Sequence, residues 1–190
     1  MLDWLYPQTV EIVHSKINGE IEVVKSRGRY SVWVGGFEQS GSVYVEKLWK
    51  KGLREAEKYF LHPPKSVLIL GFGCGTAAKL ISQKWPYAHI VGVEIDPVMI
   101  QLGKKYFGLD TVSNLKIIKA DACKQVRLLA KKKQKFDLIL VDTYLGGKSS
   151  GDPDCRFLLK NNGIIISNHL EGLKTEFLFT KGGRNHNRPP

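Results

Sequence analysis

Ser66-Val67-Leu68-Ile69-Leu70-Gly71-Phe72-Gly73-Cys74-Gly75-Thr76-Ala77-Ala78 reads as a buried strand, a glycine-rich turn and the first turn of a helix. The apolar run is too short for a core helix and has no polar alternation, as expected of a strand covered on both faces of a parallel sheet. The glycines allow a tight turn and a close approach of a ligand to the backbone, with the N–H groups of the helix start aimed at it. This loop carries no Gly-Lys-Ser/Thr, so it is not a Walker loop. Gly73-Cys74-Gly75-Thr76-Ala77-Ala78 satisfies the loose G-x-G-x-x-A dinucleotide pattern. Counted from Gly71, the first glycine after the strand, the sixth position is Thr76, which speaks against a nicotinamide cofactor.

Downstream, strand and helix alternate. His89-Ile90-Val91-Gly92-Val93 is a second strand ending at Glu94, and Asp96-Pro97 is an N-cap followed by proline at the first helical position. Leu115 to Ile118 is a third strand, Ala122 to about Lys133 a helix, Phe136 to Val141 a fourth strand and Gly163 to Ser167 a fifth. This order predicts a Rossmann-like, doubly wound, mostly parallel α/β sheet, with its ligand at the carboxyl ends of the strands.

Those ends carry Gly71, Gly73 and Gly75, then Glu94 with Asp96, then Asp121 with Ala122, then Asp142. Glu94 lies about twenty residues past the loop, where a carboxylate accepts hydrogen bonds from both ribose hydroxyls. Asp121 is placed to accept from an exocyclic adenine amine. Each acid has a second reading as a helix or loop cap: Asp96 fits that role best, Asp121 fits either, and Asp142 is a general base or a cap of the loop that contains Tyr144.

Upstream, residues 9–37 alternate and are rich in β-branched and aromatic types, with Asn18-Gly19 and Arg27-Gly28 as turns. They predict a small antiparallel meander. Val45, Leu48, Trp49, Leu53, Ala56, Tyr59 and Phe60 then share one helix face, which His62-Pro63-Pro64 terminates. The expected organisation is a meander over 1–42, a nucleoside-binding unit over 43–180 and a disordered tail over 181–190.

The 190 residues carry a formal charge of +11. Basic residues cluster at Lys131-Lys132-Lys133-Gln134-Lys135 and around Lys47, Lys50, Lys51 and Arg54. No aromatics interleave with them, so solvated helix faces are favoured over a nucleic-acid surface, which stays open as an alternative. Cys74, Cys123 and Cys155 show no CxxC or zinc spacing. A structural metal is not expected, and a cytoplasmic location is. No leader or membrane-sized apolar run is legible.

Taken together, these residues resemble the class I methyltransferase fold and, within it, the spermidine synthase (aminopropyltransferase) family of polyamine biosynthesis. The resemblance rests on Gly35-Gly36-Phe37-Glu38-Gln39 with Tyr44-Val45-Glu46, on Val67 to Thr76, on Val93-Glu94-Ile95-Asp96-Pro97, on Lys104 to Phe107, on Asp121-Ala122 and on Phe136 to Asp142. It implies S-adenosylmethionine, or its decarboxylated form, as cofactor. It also implies that Gln39, the glycine loop, Glu94, Asp121 and Ala122 hold the nucleoside, that Tyr44 and Tyr144 line the acceptor pocket, and that Asp142 deprotonates the attacking nitrogen.

Three departures stand out. Cys74 replaces the loop aspartate that pairs with the ammonium of the decarboxylated donor, Leu145 replaces a second acid after Asp142, and Val45 replaces a polar residue. All three losses fall on groups that hold cations, and a buried, uncompensated ammonium costs several kcal/mol on a rough scale. The expectation is therefore methyl transfer to an unidentified small acceptor, with an amine among the candidates. The alternatives are aminopropyl transfer with an altered diamine site, or a nucleoside-binding module without turnover. The sheet is expected to be shortened after Asn168, with one strand at Thr175 to Phe179 and an edge that a second copy could cover.

Overall fold

A computed structural model describes residues 6–145, 148–149, 153–171 and 174–182 of the chain. Four antiparallel strands come first, β1 (Gln8–Ser15), β2 (Gly19–Ser26), β3 (Arg29–Val34) and β4 (Phe37–Ser40), paired in that order. The fourth strand extends the expected meander. Gly35 and Gly36 both have positive φ, 56° and 80°, the backbone that a two-residue hairpin turn requires. Gly35-Gly36, quoted above only for the family resemblance, therefore turns the chain back against β3.

Helix α1 (Val43–Glu57) follows, with the Ser42 hydroxyl capping it by accepting from the Tyr44 and Val45 amides. Tyr59 and Phe60, read as part of its apolar face, lie beyond its end. There follow β5 (Ser66–Leu70), α2 (Thr76–Lys84), β6 (His89–Glu94), α3 (Pro97–Phe107), β7 (Leu115–Lys119), α4 (Ala122–Lys131), β8 (Phe136–Val141), a two-residue pair β9 (Tyr144–Leu145) and β10 (Lys148–Ser149), β11 (Leu159–Glu171) and β12 (Lys174–Lys181). The main sheet has the order β12-β11-β8-β5-β6-β7, parallel except for β12, which runs antiparallel beside β11. The doubly wound, mostly parallel expectation holds.

Alternate residues of the central strands face opposite ways, as the two-residue period of a strand demands. Val67, Ile69, Leu138, Leu140, Ile164 and Ile166 pack under α1 and α2, with Trp49, Leu53 and Ile81. Leu68, Leu70, Ile139, Val141 and Ile165 pack on the other face against Val126 and Leu129 of α4 and Leu158. A third cluster joins the meander, through Ile21, Val23, Val32 and Val34, to Cys74 of the glycine loop and to Met99 and Leu102 of α3. The meander thus packs directly on the loop.

At the sheet's short side, β12 follows β11 with no intervening helix, and among the described residues no strand pairs with its other edge. Phe177 lies 5.2 Å, ring centroid to ring centroid, from Trp49 of α1. A side chain at Gly52 would meet Phe177 at 3.0 Å, which is why α1 is smooth there. Most of the expected disordered tail, residues 183–190, and the stretch Gly172-Leu173 lie outside the described residues. No helix among them is long and apolar enough to cross a membrane.

Candidate functional site

Sheet register assembles the site. Leu70 pairs with Val93 and with Val141, and Val141 pairs with Ser167. The next residue on each strand is Asn168, Asp142, Gly71 or Glu94, so these four stand in one row at the carboxyl rim. Adjacent strands are about 4.8 Å apart, which puts Asp142 and Glu94, two strands from each other, roughly 10 Å apart. A cleft opens above the row and encloses about 1020 Å³ counting its open mouth.

Gly71 and Gly73 line the cleft. A Cβ at Gly71, whose φ is +80°, would run into the Asp142 carbonyl oxygen; glycine is what lets β5 and β8 end side by side. Gly75 does a different job. It starts α2 at φ +85° and a Cβ there would collide with Leu109 and Phe72, so it lies beneath the cleft rather than on its wall.

Glu94 is 7% exposed. One carboxylate oxygen accepts from the Gly73 amide at 2.6 Å and the other from the Asp96 amide at 2.9 Å. Burial pushes its carboxyl above the ordinary glutamate value, and the hydrogen bonds from Asp96 and Gly73 counter only part of that. The carboxylate is thereby aimed along the loop while each oxygen keeps a lone pair.

Asp96, fully buried, is more than a cap. One oxygen accepts from the Val98 amide at 2.8 Å, as an N-cap does; the other accepts from the Ser15 hydroxyl at 2.5 Å and the Asn18 amide at 2.6 Å. The β1–β2 turn is thus tied to the start of α3. Two further bonds tie the meander's exit to the loop: the Cys74 amide donates to Ser40 Oγ at 3.1 Å and the Gly41 amide to Thr76 Oγ1 at 3.0 Å.

Asp121 caps α4 by accepting from the Lys124 amide at 2.8 Å and also lines the cleft, as do Ala122 and Gln39. Asp142 accepts from Asn168 Nδ2 at 2.7 Å. Tyr144 lines the cleft and donates its hydroxyl to the Asn168 carbonyl at 2.7 Å. Tyr44 is not among the lining residues: it sits in the first turn of α1, 58% exposed, while its neighbour Val45 reaches the wall.

Cys74 is fully buried in the meander contact and does not line the cleft. Burial pushes its thiol well above the ordinary range, which makes it a packing residue rather than a nucleophile. Asn18, Ser40, Thr143 and Asn168 bound or support the site without having been singled out in the sequence. Asn18-Gly19 carried only a turn signal, and Asn168 lies just past the fifth strand as read.

The chain does contain one Gly-Lys-Ser, Gly147-Lys148-Ser149. Asp142 stands where a phosphate loop has its first glycine, so no Walker motif is formed. No group of His, Cys, Asp and Glu among the described residues could hold a metal ion. The basic residues of α1 and the 131–135 run are exposed helix and turn positions.

Residues 67–160 match a family model described as a methyltransferase domain. A solved spermidine synthase, bound to the transition-state analogue AdoDATO, superposes with a TM-score of 0.66 at 21% identity, over 85% of this chain and 58% of that one. This is a class I methyltransferase fold of the spermidine synthase-like kind.

Among curated relatives, a polyamine aminopropyltransferase of Vibrio vulnificus is 29% identical over 112 residues, 55% of this chain and 38% of the relative. An eEF1A lysine and N-terminal methyltransferase homolog of Drosophila melanogaster is 31% identical over 78 residues, 41% of this chain and 12% of the relative. The chain spans less than half the length of these relatives. On the methyltransferase fold the loop, Glu94, Asp121 and Asp142 stand at the ends of four consecutive parallel strands, with the meander closing one side.

Proposed function

We propose that the chain is an S-adenosylmethionine-dependent transferase that delivers the methyl group to an acceptor nucleophile beside Asp142. The observation that carries this reading is Glu94. It is a nearly buried carboxylate at the end of the second strand, held by the amide of Gly73 and facing the same cleft as Asp121 and Asp142.

The residues present fit the group. Gly71 and Gly73 leave the loop backbone open to a ligand, Glu94 offers acceptors for two ribose hydroxyls, and Asp121 with Ala122 lies where an adenine would end. Gln39 closes the cleft from the meander side. When bound, the cofactor's sulfonium would supply an activated methyl group for an acceptor lone pair, with a neutral thioether as leaving group.

Asp142 takes the proton that the acceptor gives up. Alignment is the larger part of the task, because an activated methyl needs a nucleophile at close range more than it needs acid catalysis. Tyr144 and Asn168 hold the wall on which that acceptor rests.

Methyl transfer is favoured over aminopropyl transfer because the loop residues that line the cleft, Gly71, Phe72, Gly73 and Thr76, include no acid to pair with a donor ammonium. The decarboxylated donor keeps the ammonium of S-adenosylmethionine but lacks the carboxylate beside it, so its chain is a net cation, and Cys74 is buried toward the meander. Aminopropyl transfer is the second reading, supported by the polyamine aminopropyltransferases among the relatives. A thermal-shift and calorimetric titration with S-adenosylmethionine, its decarboxylated form, S-adenosylhomocysteine, methylthioadenosine and NAD separates the two, since a ligand of the native state raises its stability. The expected order places S-adenosylmethionine and S-adenosylhomocysteine first and leaves NAD without effect. A clear preference for the decarboxylated donor transfers the assignment to aminopropylation, and no response to any adenosyl compound defeats both.

A further inference from the structure

We propose that the exposed face of α1, with the groove between α1 and α2, binds the backbone of a single-stranded nucleic acid. The inference concerns a surface outside the cleft and does not depend on the transferase reading. The apolar side of α1 is turned inward, with Val45, Trp49, Leu53 and Ala56 buried. The period of the helix then gathers Lys47, Lys50, Lys51 and Arg54 on the opposite side, all of them exposed, on a helix roughly 22 Å long.

The acids of α1 do not neutralise this face. Glu46 accepts from Arg29 and lies 3.5 Å from Lys50, Glu55 pairs with Lys58 at 2.7 Å, and Glu57 pairs with Lys84 of α2 at 2.7 Å. Lys47, Lys51 and Arg54 make no ion pair with a described residue, and neither does Lys79 of α2, which is partly buried. Lys50, Lys79 and Gln83 line a groove between the two helices that encloses about 510 Å³ counting its open mouth; Glu46 also lines it and is the partner of Arg29.

Two features suit a nucleic acid better than an acidic protein. The unpaired cations of α1 recur turn by turn, as fits a polymer with one charge per unit. Tyr44, 58% exposed, stands one turn before Lys47 on the same side of the helix. A base can stack on that ring only when it is not already held in a duplex. The family resemblance assigns Tyr44 to the acceptor pocket, but the cleft has Val45 on its wall instead. The basic track therefore begins at the cleft mouth and runs away from it along α1.

The test measures fluorescence anisotropy of a fluorescein-labelled thymidine dodecamer with the full chain. Phosphate contacts from Lys47, Lys51, Arg54 and Lys79 give a log–log salt slope of about −2.8, so affinity falls about fiftyfold between about 50 and about 200 mM salt. Lys47→Gln, Lys51→Gln and Arg54→Gln combined keep helix-forming side chains at exposed positions, weaken binding at least about tenfold and bring the slope to about −0.7. Lys131→Gln, Lys132→Gln and Lys133→Gln combined remove the same charge from the other basic run and change affinity less than about twofold. Tyr44→Ala weakens binding about fivefold or more, and Tyr44→Phe retains it.

Equal losses in the two triple variants would mean that net charge alone attracts the strand, and they overturn the proposal. So do an affinity indifferent to Tyr44, an oligoglutamate of equal charge that binds the wild type as tightly as the dodecamer, and a dodecamer that does not bind at all. Failure of S-adenosylhomocysteine to bind the wild type overturns the transferase reading instead, because the anisotropy titrations use no cofactor.

Discussion

The end of the cleft proposed to hold the nucleoside and the end proposed to hold the acceptor are built from different materials. At the nucleoside end the polar side chains are held by main-chain amides and by a second sheet: Glu94 by Gly73 and Asp96, Asp96 by Val98, Ser15 and Asn18, and the loop itself by Ser40. At the acceptor end Asp142 and Tyr144 meet at Asn168, on strands β8, β9 and β11, beside a segment of short two-residue strands. Backbone amides fix a direction rigidly and are unchanged by substitution of the residues that carry them. Side-chain partners can be exchanged one at a time. On the proposed assignment, cofactor recognition rests on rigid elements and acceptor choice on a few replaceable groups.

The largest expected effect breaks this contrast at position 74. Cys74→Asp would put a carboxylate under the meander rather than into the cleft, at a cost of several kcal/mol by the usual penalty for an unpaired buried charge. A sharply lowered denaturation midpoint, with no gain in affinity for the decarboxylated donor, is expected. A well-folded variant that now prefers that donor would mean the side chain at 74 reaches the ligand.

Next comes Asp96→Ala, which removes the N-cap of α3 and both bonds to the β1–β2 turn. About 3 kcal/mol of stability is expected to be lost in urea unfolding, since a cap contributes about 1 and bonds to a charged acceptor about 1.5–3. A loss under about 1 kcal/mol would show that the meander docks through Ile21, Val23, Val32 and Val34 alone.

Glu94→Gln sharpens the nucleoside side. Calorimetry should record S-adenosylhomocysteine affinity lower by about thirtyfold, about 2 kcal/mol, against less than twofold for Asp142→Asn. The pH dependence follows from the raised Glu94 carboxyl. On the proposed assignment the ionised form is the ribose acceptor, so affinity should fall, as the solution is acidified, through a midpoint above the ordinary 4.5. In the ligand-free protein the sign reverses: an acid whose folded value is raised adds stability below its unfolded value, and that stability disappears as the pH rises through the folded one. Asp137 runs the other way. Burial alone would raise it, but Lys160, Ser66 and the Lys65 amide outweigh that and hold it low, so its contribution is lost as the pH falls below 3.8.

The smallest effect is Tyr144→Phe. Loss of one bond to the Asn168 carbonyl should cost about 1 kcal/mol in unfolding and leave S-adenosylhomocysteine affinity unchanged. A large drop in affinity would erase the distinction between the two ends.

Much of this molecule was legible in its order of residues. Apolar runs such as Val67 to Leu70 and Phe136 to Val141 could only be doubly covered strands, and Gly71, Glu94, Asp121 and Asp142 had to follow them, because a strand-end position depends on local period alone. The meander's first three strands were equally local. The fourth strand was hidden because Gly35-Gly36 also fits a loop, and the end of α1 was misplaced because Tyr59 and Phe60 continue the apolar spacing without continuing the helix.

What only the tertiary structure decided are the relations between distant segments. Residue type and spacing showed that Asp96 could cap a helix. That it also receives Ser15 and Asn18, some eighty residues away, depends on how the meander docks. Cys74 occupies a position the family resemblance assigns to an acid, but packing alone determines that its side chain faces the meander and not the ligand. Asn168 carries no motif; its place beside Asp142 comes from the parallel register of β11 and β8. Local propensity acts through nearest neighbours along the chain, whereas these contacts arise from sheet register and the meeting of two apolar faces, which one-dimensional order does not specify.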